Sequence, residues 1–268
     1  MSRIAAQFDA CRARDEGALV TYLMAGDPDA DRGLAALRAV AAGGADIIEL
    51  GVPFSDPMAD GRVIEQAAAR ALAGGMHLPE LFALVRAFRQ EYDTPLLLMT
   101  YWNPILQYGI ARVCAEATAA GVDGLLISDL PPEEAGEWLA AARPAGLDTI
   151  FLLAPTSPES RIRLVARAGG GFIYCVSRLG VTGAQQELPP DLFSLIARIK
   201  SFTDKPVAVG FGLSTPAQVA EVCAHADGAI VGSALVTVIA EHAEGDLAGA
   251  VTAFVRELKD ATRGRESA

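Results

Sequence analysis

The chain has 268 residues, 51% of them hydrophobic and 6% aromatic, and carries a formal net charge of −11. This length fits one α/β barrel, and the apolar fraction supplies a large core. The acidic balance argues against nucleic acid or an anionic membrane as the main partner. A phosphorylated substrate stays possible, because backbone N–H groups and helix ends bind phosphate locally.

Cysteine usage and the lack of long apolar runs predict a cytoplasmic protein. The four cysteines are far apart and form no C-x-x-C motif, which is typical of free thiols in a reducing compartment. The first residues lack the apolar segment of a signal peptide, and no apolar run reaches membrane-spanning length.

Short apolar runs alternate with helical patterns along the whole chain. Residues 2–14 predict an amphipathic helix with Ile4 and Phe8 on one face. Strands are expected at 19–25, 46–50, 95–100, 124–128, 149–153, 172–176, 206–209 and 228–231. Helices are expected at about 29–42, 62–72, 79–91, 108–120, 133–143, 158–168, 191–201 and 215–223, with further helical sequence to about 262.

Eight strands alternating with helices indicate parallel pairing and closure into a barrel. We therefore predict one domain over residues 1–268, a single (β/α)8 barrel with an extra N-terminal helix and additional helices in the βα loops. A doubly wound open sheet is the weaker alternative, because no G-x-G-x-x-G follows the first strand.

Residues 46–61 carry the clearest signs of chemistry. Glu49 lies inside an apolar strand, and a loop rich in Gly, Pro, Ser and Asp leads from it to Asp60. Burial should raise the pKa of Glu49 towards neutrality, whereas Asp60 on a polar loop should stay ionised. Two carboxylates in such different environments suit acid–base catalysis. The alternative is that Glu49 pairs with an arginine and Asp60 caps a turn.

Glycine-rich segments follow the last three predicted strands. Gly210-Phe211-Gly212 and Gly232-Ser233 follow strands seven and eight, where barrels often bind phosphate through backbone N–H groups. The segment 177–183 opens the longest connection and contains two glycines, which predicts a lid over the barrel mouth. A mobile surface loop is the alternative for that segment.

Other catalytic groups are missing from the expected strand ends. The lysines are Lys200, Lys205 and Lys259, on or beside helices, so Schiff-base chemistry is disfavoured. The three histidines are isolated and lack metal-binding spacing, so neither a metal nor another cofactor is expected. Carboxylates, Tyr174, a phosphate cup and a lid together suit proton transfer on a phosphorylated substrate.

The motifs resemble one family over nearly the whole chain. The run from Ile48 to Pro57, with Ala59-Asp60-Gly61, is similar to the signature of tryptophan synthase α subunits. Agreement continues in the same order at 98–104, 128–131, 174–183, 209–212 and 232–233.

The resemblance implies a lyase that cleaves indole-3-glycerol phosphate to indole and glyceraldehyde 3-phosphate in tryptophan biosynthesis. Glu49 would protonate indole C3 and help deprotonate the glycerol hydroxyl, Asp60 would bind the indole N–H, and Tyr174 would assist. The remaining expected site residues are Tyr22, Thr100, Asp129, Arg178 and Thr182 for substrate, and Gly183, Gly212, Gly232 and Ser233 for phosphate. Tyr22 stands where many relatives are expected to have Phe.

The resemblance also implies a pyridoxal-phosphate β subunit as partner, in an α2β2 heterotetramer. Pro53, Phe54 and Asp56 would contact it, and lid closure would bring Thr182 towards Asp60. Three alternatives stay open: another phosphate-binding barrel enzyme, a non-catalytic regulatory subunit, and a free-standing lyase that needs no partner.

Overall fold

Parallel strands and helices alternate in a computed structural model that describes residues 2–177, 188–210 and 212–263. The strand segments are β1 (Ala18–Met24), β2 (Ile47–Gly51), β3 (Leu96–Thr100), β4 (Gly124–Ile127), β5 (Asp148–Ile150), β6 (Leu152–Leu153), β7 (Ile173–Val176), β8 (Val207–Gly210) and β9 (Gly228–Val231). The helices are α1 (Arg3–Ala13), α2 (Ala30–Ala42), α3 (Arg62–Ala73), α4 (Leu78–Phe88), α5 (Trp102–Tyr108), α6 (Ile110–Ala120), α7 (Gly136–Ala142), α8 (Glu159–Ala168), α9 (Leu192–Lys200), α10 (Pro216–His225), α11 (Ser233–Glu241) and α12 (Leu247–Asp260).

The sheet closes into a barrel through the fifth predicted strand. The spatial order is β5-β4-β3-β2-β1-β9-β8-β7-β6, so the two ends of the sheet are consecutive pieces of chain separated only by Phe151. β5 pairs with β4 and β6 pairs with β7, all in parallel. The stagger between neighbouring strands of a tilted barrel explains why one strand divides its hydrogen bonds in this way. The predicted (β/α)8 barrel is confirmed.

The protein has two hydrophobic cores, one on each face of the barrel sheet. One lies between the strands and the outer helices. The other fills the barrel interior, and α1 covers its amino-terminal end with buried Ile4, Phe8 and Cys11. The interior layer consists of Val20, Ile47, Leu97, Leu126, Ile150, Phe172, Ala208 and Ile230. The predicted amphipathic helix at the N-terminus therefore serves to close the barrel.

Helix α5 differs from the prediction, which treated Asn103-Pro104 as a loop before a helix at Tyr108. Pro104 instead lies in the first turn of α5, where no intrahelical N–H bond is required. The Trp102 N–H at this helix start donates to Asp129 Oδ1 at 2.7 Å. Gly109, at φ 97°, then separates α5 from α6.

No helix among the described residues has the length and apolarity needed to cross a membrane.

Buried or partly buried aspartates anchor the amino-terminal ends of several strands. Asp46, Asp123 and Asp227 each come just before a strand, and each bonds the preceding strand through both its own N–H and its carboxylate. The pairs are Asp46 with Leu19 at 2.9 and 2.8 Å, Asp123 with Leu96 at 2.8 and 2.8 Å, and Asp227 with Val207 at 2.8 and 2.9 Å. Two of these carboxylates form ion pairs. Lys259 lies 2.8 Å from Asp46, and Arg89 lies 3.0 Å from Asp123.

Replacing Asp123 with Ala is expected to lower the free energy of unfolding by roughly 3 kcal/mol, because Arg89 and the Leu96 N–H lose a buried partner. Urea unfolding at constant m-value measures the change. Asp9→Ala is the control, since the Asp9–Arg12 pair is about half exposed and its loss should cost at most about 0.5 kcal/mol. Equal effects of the two substitutions would contradict the anchoring role.

Candidate active site

Glu49 lies inside the barrel near the carboxyl end of β2. Its register partners are Tyr22 on β1 and Leu97 on β3, and its side chain is 1% exposed. Burial, and secondarily the charge of Asp60, raises the pKa of Glu49 to about 8. Oε1 has no hydrogen-bond partner among the described residues. Glu49 is therefore a buried acid that is largely protonated at neutral pH, and no arginine among the described residues pairs with it.

Asp60 ends the loop after β2 and is more buried than its polar surroundings suggested. It is 8% exposed, and burial is the main reason that its pKa rises to about 6. A hydrogen bond from the Tyr101 hydroxyl opposes this rise. The same hydroxyl accepts the Ala59 N–H at 3.1 Å, so Tyr101 fixes the end of the loop. Asp60 is thus still mainly ionised at neutral pH, as expected, beside an acid that is not.

Two tyrosines enclose the interior around Glu49. Tyr22 is its neighbour on β1, and Tyr174 extends from β7 with its pKa raised by burial and then by the charge of Glu49. Each hydroxyl lies over a glycine at the end of a neighbouring strand, Gly51 for Tyr22 and Gly210 for Tyr174. A β-carbon at either glycine would overlap the hydroxyl, so both strand ends require glycine to admit the rings.

The predicted phosphate residues that the structure describes follow neighbouring strands. Gly212 comes after β8, and Gly232 with Ser233 comes after β9, which pairs with β8. Ser233 begins α11, and no side chain caps this helix start within the described part of the chain. The N–H groups of its first turn are therefore free to bind an anion, aided by the helix dipole.

Two residues predicted to bind substrate, Thr100 and Asp129, make local contacts at the ends of β3 and β4. Leu97 and Met99 of β3 contact the interior core, so Thr100 lies on the outer face, where its hydroxyl donates to the Tyr101 carbonyl at 3.3 Å. Asp129 is exposed and accepts the Trp102 N–H. Met99 therefore takes the interior position next to Thr100, and Asp129 lines a pocket with Ser128 and Leu152 after β4 and β5.

Three side chains that the sequence reading left out belong to the site. Met99 faces the interior in place of Thr100. Ser128 follows β4, two residues after the interior Leu126, and its buried Oγ has no partner among the described residues. Tyr101 holds Asp60. Counting two residues forward from the interior Leu97 and Leu126 would have found Met99 and Ser128.

Three predicted site residues and the predicted lid lie outside the described residues: Arg178, Thr182, Gly183 and the segment from 178 to 183.

The lysines all lie at the opposite end of the barrel. Lys205 Nζ bonds the carbonyl groups of Ala166 and Gly169 that end α8, while Lys259 and Lys200 pair with aspartates that precede strands. Among the described residues, no three His, Cys, Asp or Glu side chains are grouped to hold a metal ion.

The loop predicted to contact a partner presents a mixed surface. Pro53 is buried, Phe54 is half-buried and Asp56 is exposed, and Met58 in the same loop is 81% exposed. The Phe54 ring packs on the Tyr101 ring with centroids 5.5 Å apart. A groove of about 380 Å³ begins at this loop and continues along α4 and α5. The loop is therefore in contact with the residue that holds Asp60.

The arrangement places a neutral acid, an ionised carboxylate and a helix start without a side-chain cap in the described residues at one end of a barrel. A substrate with a phosphate at one end can be fixed by α11 while its other end reaches Glu49 and Asp60. Glu49 can then deliver and recover a proton, and Asp60 can stabilise positive charge.

Comparison with known proteins gives one consistent match. The family model described as tryptophan synthase alpha chain matches residues 8–263. A protein of that name from Geobacter sulfurreducens is 50% identical over 261 residues, 97% of this chain and 99% of the relative. The one from Methanosarcina mazei is 49% identical over 258 residues, 96% and 93% of the two chains. A solved structure of Mycobacterium tuberculosis tryptophan synthase superposes with TM-score 0.91 at 42% identity, covering 98% of this chain and 99% of that chain.

Proposed function

Because this chain belongs to the tryptophan synthase alpha chain family, we propose that it is a lyase that cleaves indole-3-glycerol phosphate to indole and glyceraldehyde 3-phosphate in tryptophan biosynthesis. The observation that carries the proposal is the buried and largely neutral Glu49 beside the ionised Asp60, with one Glu49 carboxyl oxygen that has no partner in the described part of the chain. These two groups supply the acid and the negative charge that the reaction needs.

The proposed mechanism begins with transfer of the Glu49 proton to indole C3. The ring nitrogen becomes positive, and Asp60 stabilises it by accepting the N–H hydrogen bond. The Glu49 carboxylate then removes the proton from the hydroxyl on the adjoining carbon as the C–C bond breaks. Indole and the aldehyde form together, and Glu49 regains its proton. The ring accepts the electrons of the broken bond, so the reaction requires no Schiff base.

The reaction should lose rate in alkaline solution. Glu49 must be protonated to act, and its pKa is raised to about 8, so kcat/KM is expected to fall about tenfold per pH unit above that value. A series of kcat/KM values from pH 6 to pH 10 measures this limb, with unfolding followed in parallel. A rate that stays constant to pH 10 would exclude Glu49 as the acid.

The partner in this proposal is a tryptophan synthase β subunit in an α2β2 assembly, which receives the indole. Phe54 and the exposed Asp56 and Met58 offer a contact surface, and the Phe54–Tyr101 contact connects that surface to Asp60.

We further propose one domain over residues 1–268, supported by the bridge between Glu16 and Arg263. The four free, buried cysteines support a cytoplasmic location.

The test is indole release from indole-3-glycerol phosphate by the purified chain, alone and with a β subunit. Slow release that rises strongly with the partner is the expected result. Fast release by the isolated chain would indicate a free-standing lyase. No release in either case would refute the proposed reaction and leave a phosphate-binding regulatory subunit.

A further inference from the structure

The Tyr22 hydroxyl has no function in the mechanism above. The side chain is 4% exposed, and its ring leads the hydroxyl over Gly51 at the end of β2. No hydrogen bond to this hydroxyl is found within the described residues. The hydroxyl is not one of the fully enclosed side-chain atoms that lack a partner, so it reaches the open space of the site, where a ligand can replace water as its hydrogen-bond partner.

Tyr22 extends between the two ends of the site. Its Cβ lies 3.3 Å from the position that a β-carbon would take at Gly232, the residue before α11. On its other side, its register partner is Glu49. Tyr22 therefore occupies the interval between the phosphate-binding helix start and the acid.

The substrate must span the same interval. With the phosphate at α11 and the cleaved C–C bond at Glu49, the glycerol chain and its two hydroxyl groups lie between them. A phenol can donate one hydrogen bond and accept others, which suits an alcohol partner. The Oε1 atom of Glu49, which has no partner in the ranges that the structure describes, marks where the reacting hydroxyl is expected.

We propose that the Tyr22 hydroxyl is a substrate-binding group that hydrogen-bonds a hydroxyl of the glycerol chain and so selects hydroxylated over deoxygenated side chains. This proposal rests on the proposed cleavage of indole-3-glycerol phosphate. In this proposal Tyr22 hydrogen-bonds the substrate as well as lining the pocket. Gly51 is required because a β-carbon there would overlap the Tyr22 hydroxyl.

The test compares Tyr22→Phe with the parent chain on two ligands. Indole-3-glycerol phosphate carries the hydroxyls, and indole-3-propanol phosphate has the same ring and phosphate without them. We expect Tyr22→Phe to lower kcat/KM for the glycerol compound by about tenfold, the effect of one lost neutral hydrogen bond. The Kd of the propanol compound should change by less than about twofold, because its contacts persist.

A binding measurement separates this proposal from the reaction itself. In a Glu49→Gln background, the Kd of uncleaved indole-3-glycerol phosphate should rise on adding Tyr22→Phe, whether or not the parent chain cleaves the compound. Tyr92→Phe is the matched control, since Tyr92 stacks on Phe88 before β3. Unchanged affinity for both ligands, or an equal loss for both, would overturn the proposal. Absence of cleavage by the parent chain would refute only the proposed reaction.

Discussion

Glu49→Gln is expected to abolish nearly all cleavage, with kcat reduced about a thousandfold or more, because the amide retains the shape of the side chain but has no acidic proton to deliver. The Kd of indole-3-propanol phosphate should change little, since phosphate and ring contacts remain. Steady-state indole release and ligand titration measure the two quantities. Glu221→Gln, at an exposed position of α10, is the control with the same chemical change.

The same variant has a stability signature that distinguishes a lost acid from a damaged fold. Folding raises the pKa of Glu49 from 4.5 to about 8, so the folded state binds more protons than the unfolded state between these values. The parent chain therefore loses stability as the pH rises through this window, by roughly 1.4 kcal/mol for each pH unit. Glu49→Gln lacks this loss and should become the more stable protein towards pH 8. Near-normal turnover, or reduced stability at pH 8, would contradict the assignment.

Asp60→Asn is expected to reduce kcat/KM by about a hundredfold or more, because the amide carries no negative charge to stabilise the protonated ring. It should also move the alkaline limb of the pH profile to lower pH, since the charge of Asp60 contributes to the raised pKa of Glu49. Tyr101→Phe is the comparison: it removes a hydrogen bond to Asp60 but keeps the charge, and should have a smaller effect.

The two readouts for Asp60 are independent. A large rate loss with an unmoved alkaline limb would mean that Asp60 acts on substrate without influencing Glu49. A mild rate loss would remove Asp60 from the N–H role. A shift of the limb to higher pH would contradict the electrostatic relation between the two carboxylates, because removing a like charge can only favour ionisation of Glu49.

The barrel fold could be predicted from sequence periodicity, because each apolar run is short, bounded by turn residues and followed by a helical pattern. It did not resolve α5, since Asn103-Pro104 reads as a turn and a proline in the first helical turn leaves no signal of its own. The fifth strand was located, but its division at Phe151 depends on the stagger of both neighbouring strands, which local sequence does not encode.

The pair Glu49 and Asp60 could be predicted from the residues alone, because a carboxylate within an apolar run is costly unless it has a function. The positions of Gly232 and Ser233 also followed from the order of strands. The side chains that share the interior with Glu49 became clear only from the folded chain. Met99 faces this interior while Thr100 does not, since a shift of one residue along a strand reverses the face. The contact of Tyr101 with Asp60 and the position of the Tyr22 hydroxyl over Gly51 likewise arise from strand neighbours distant in sequence.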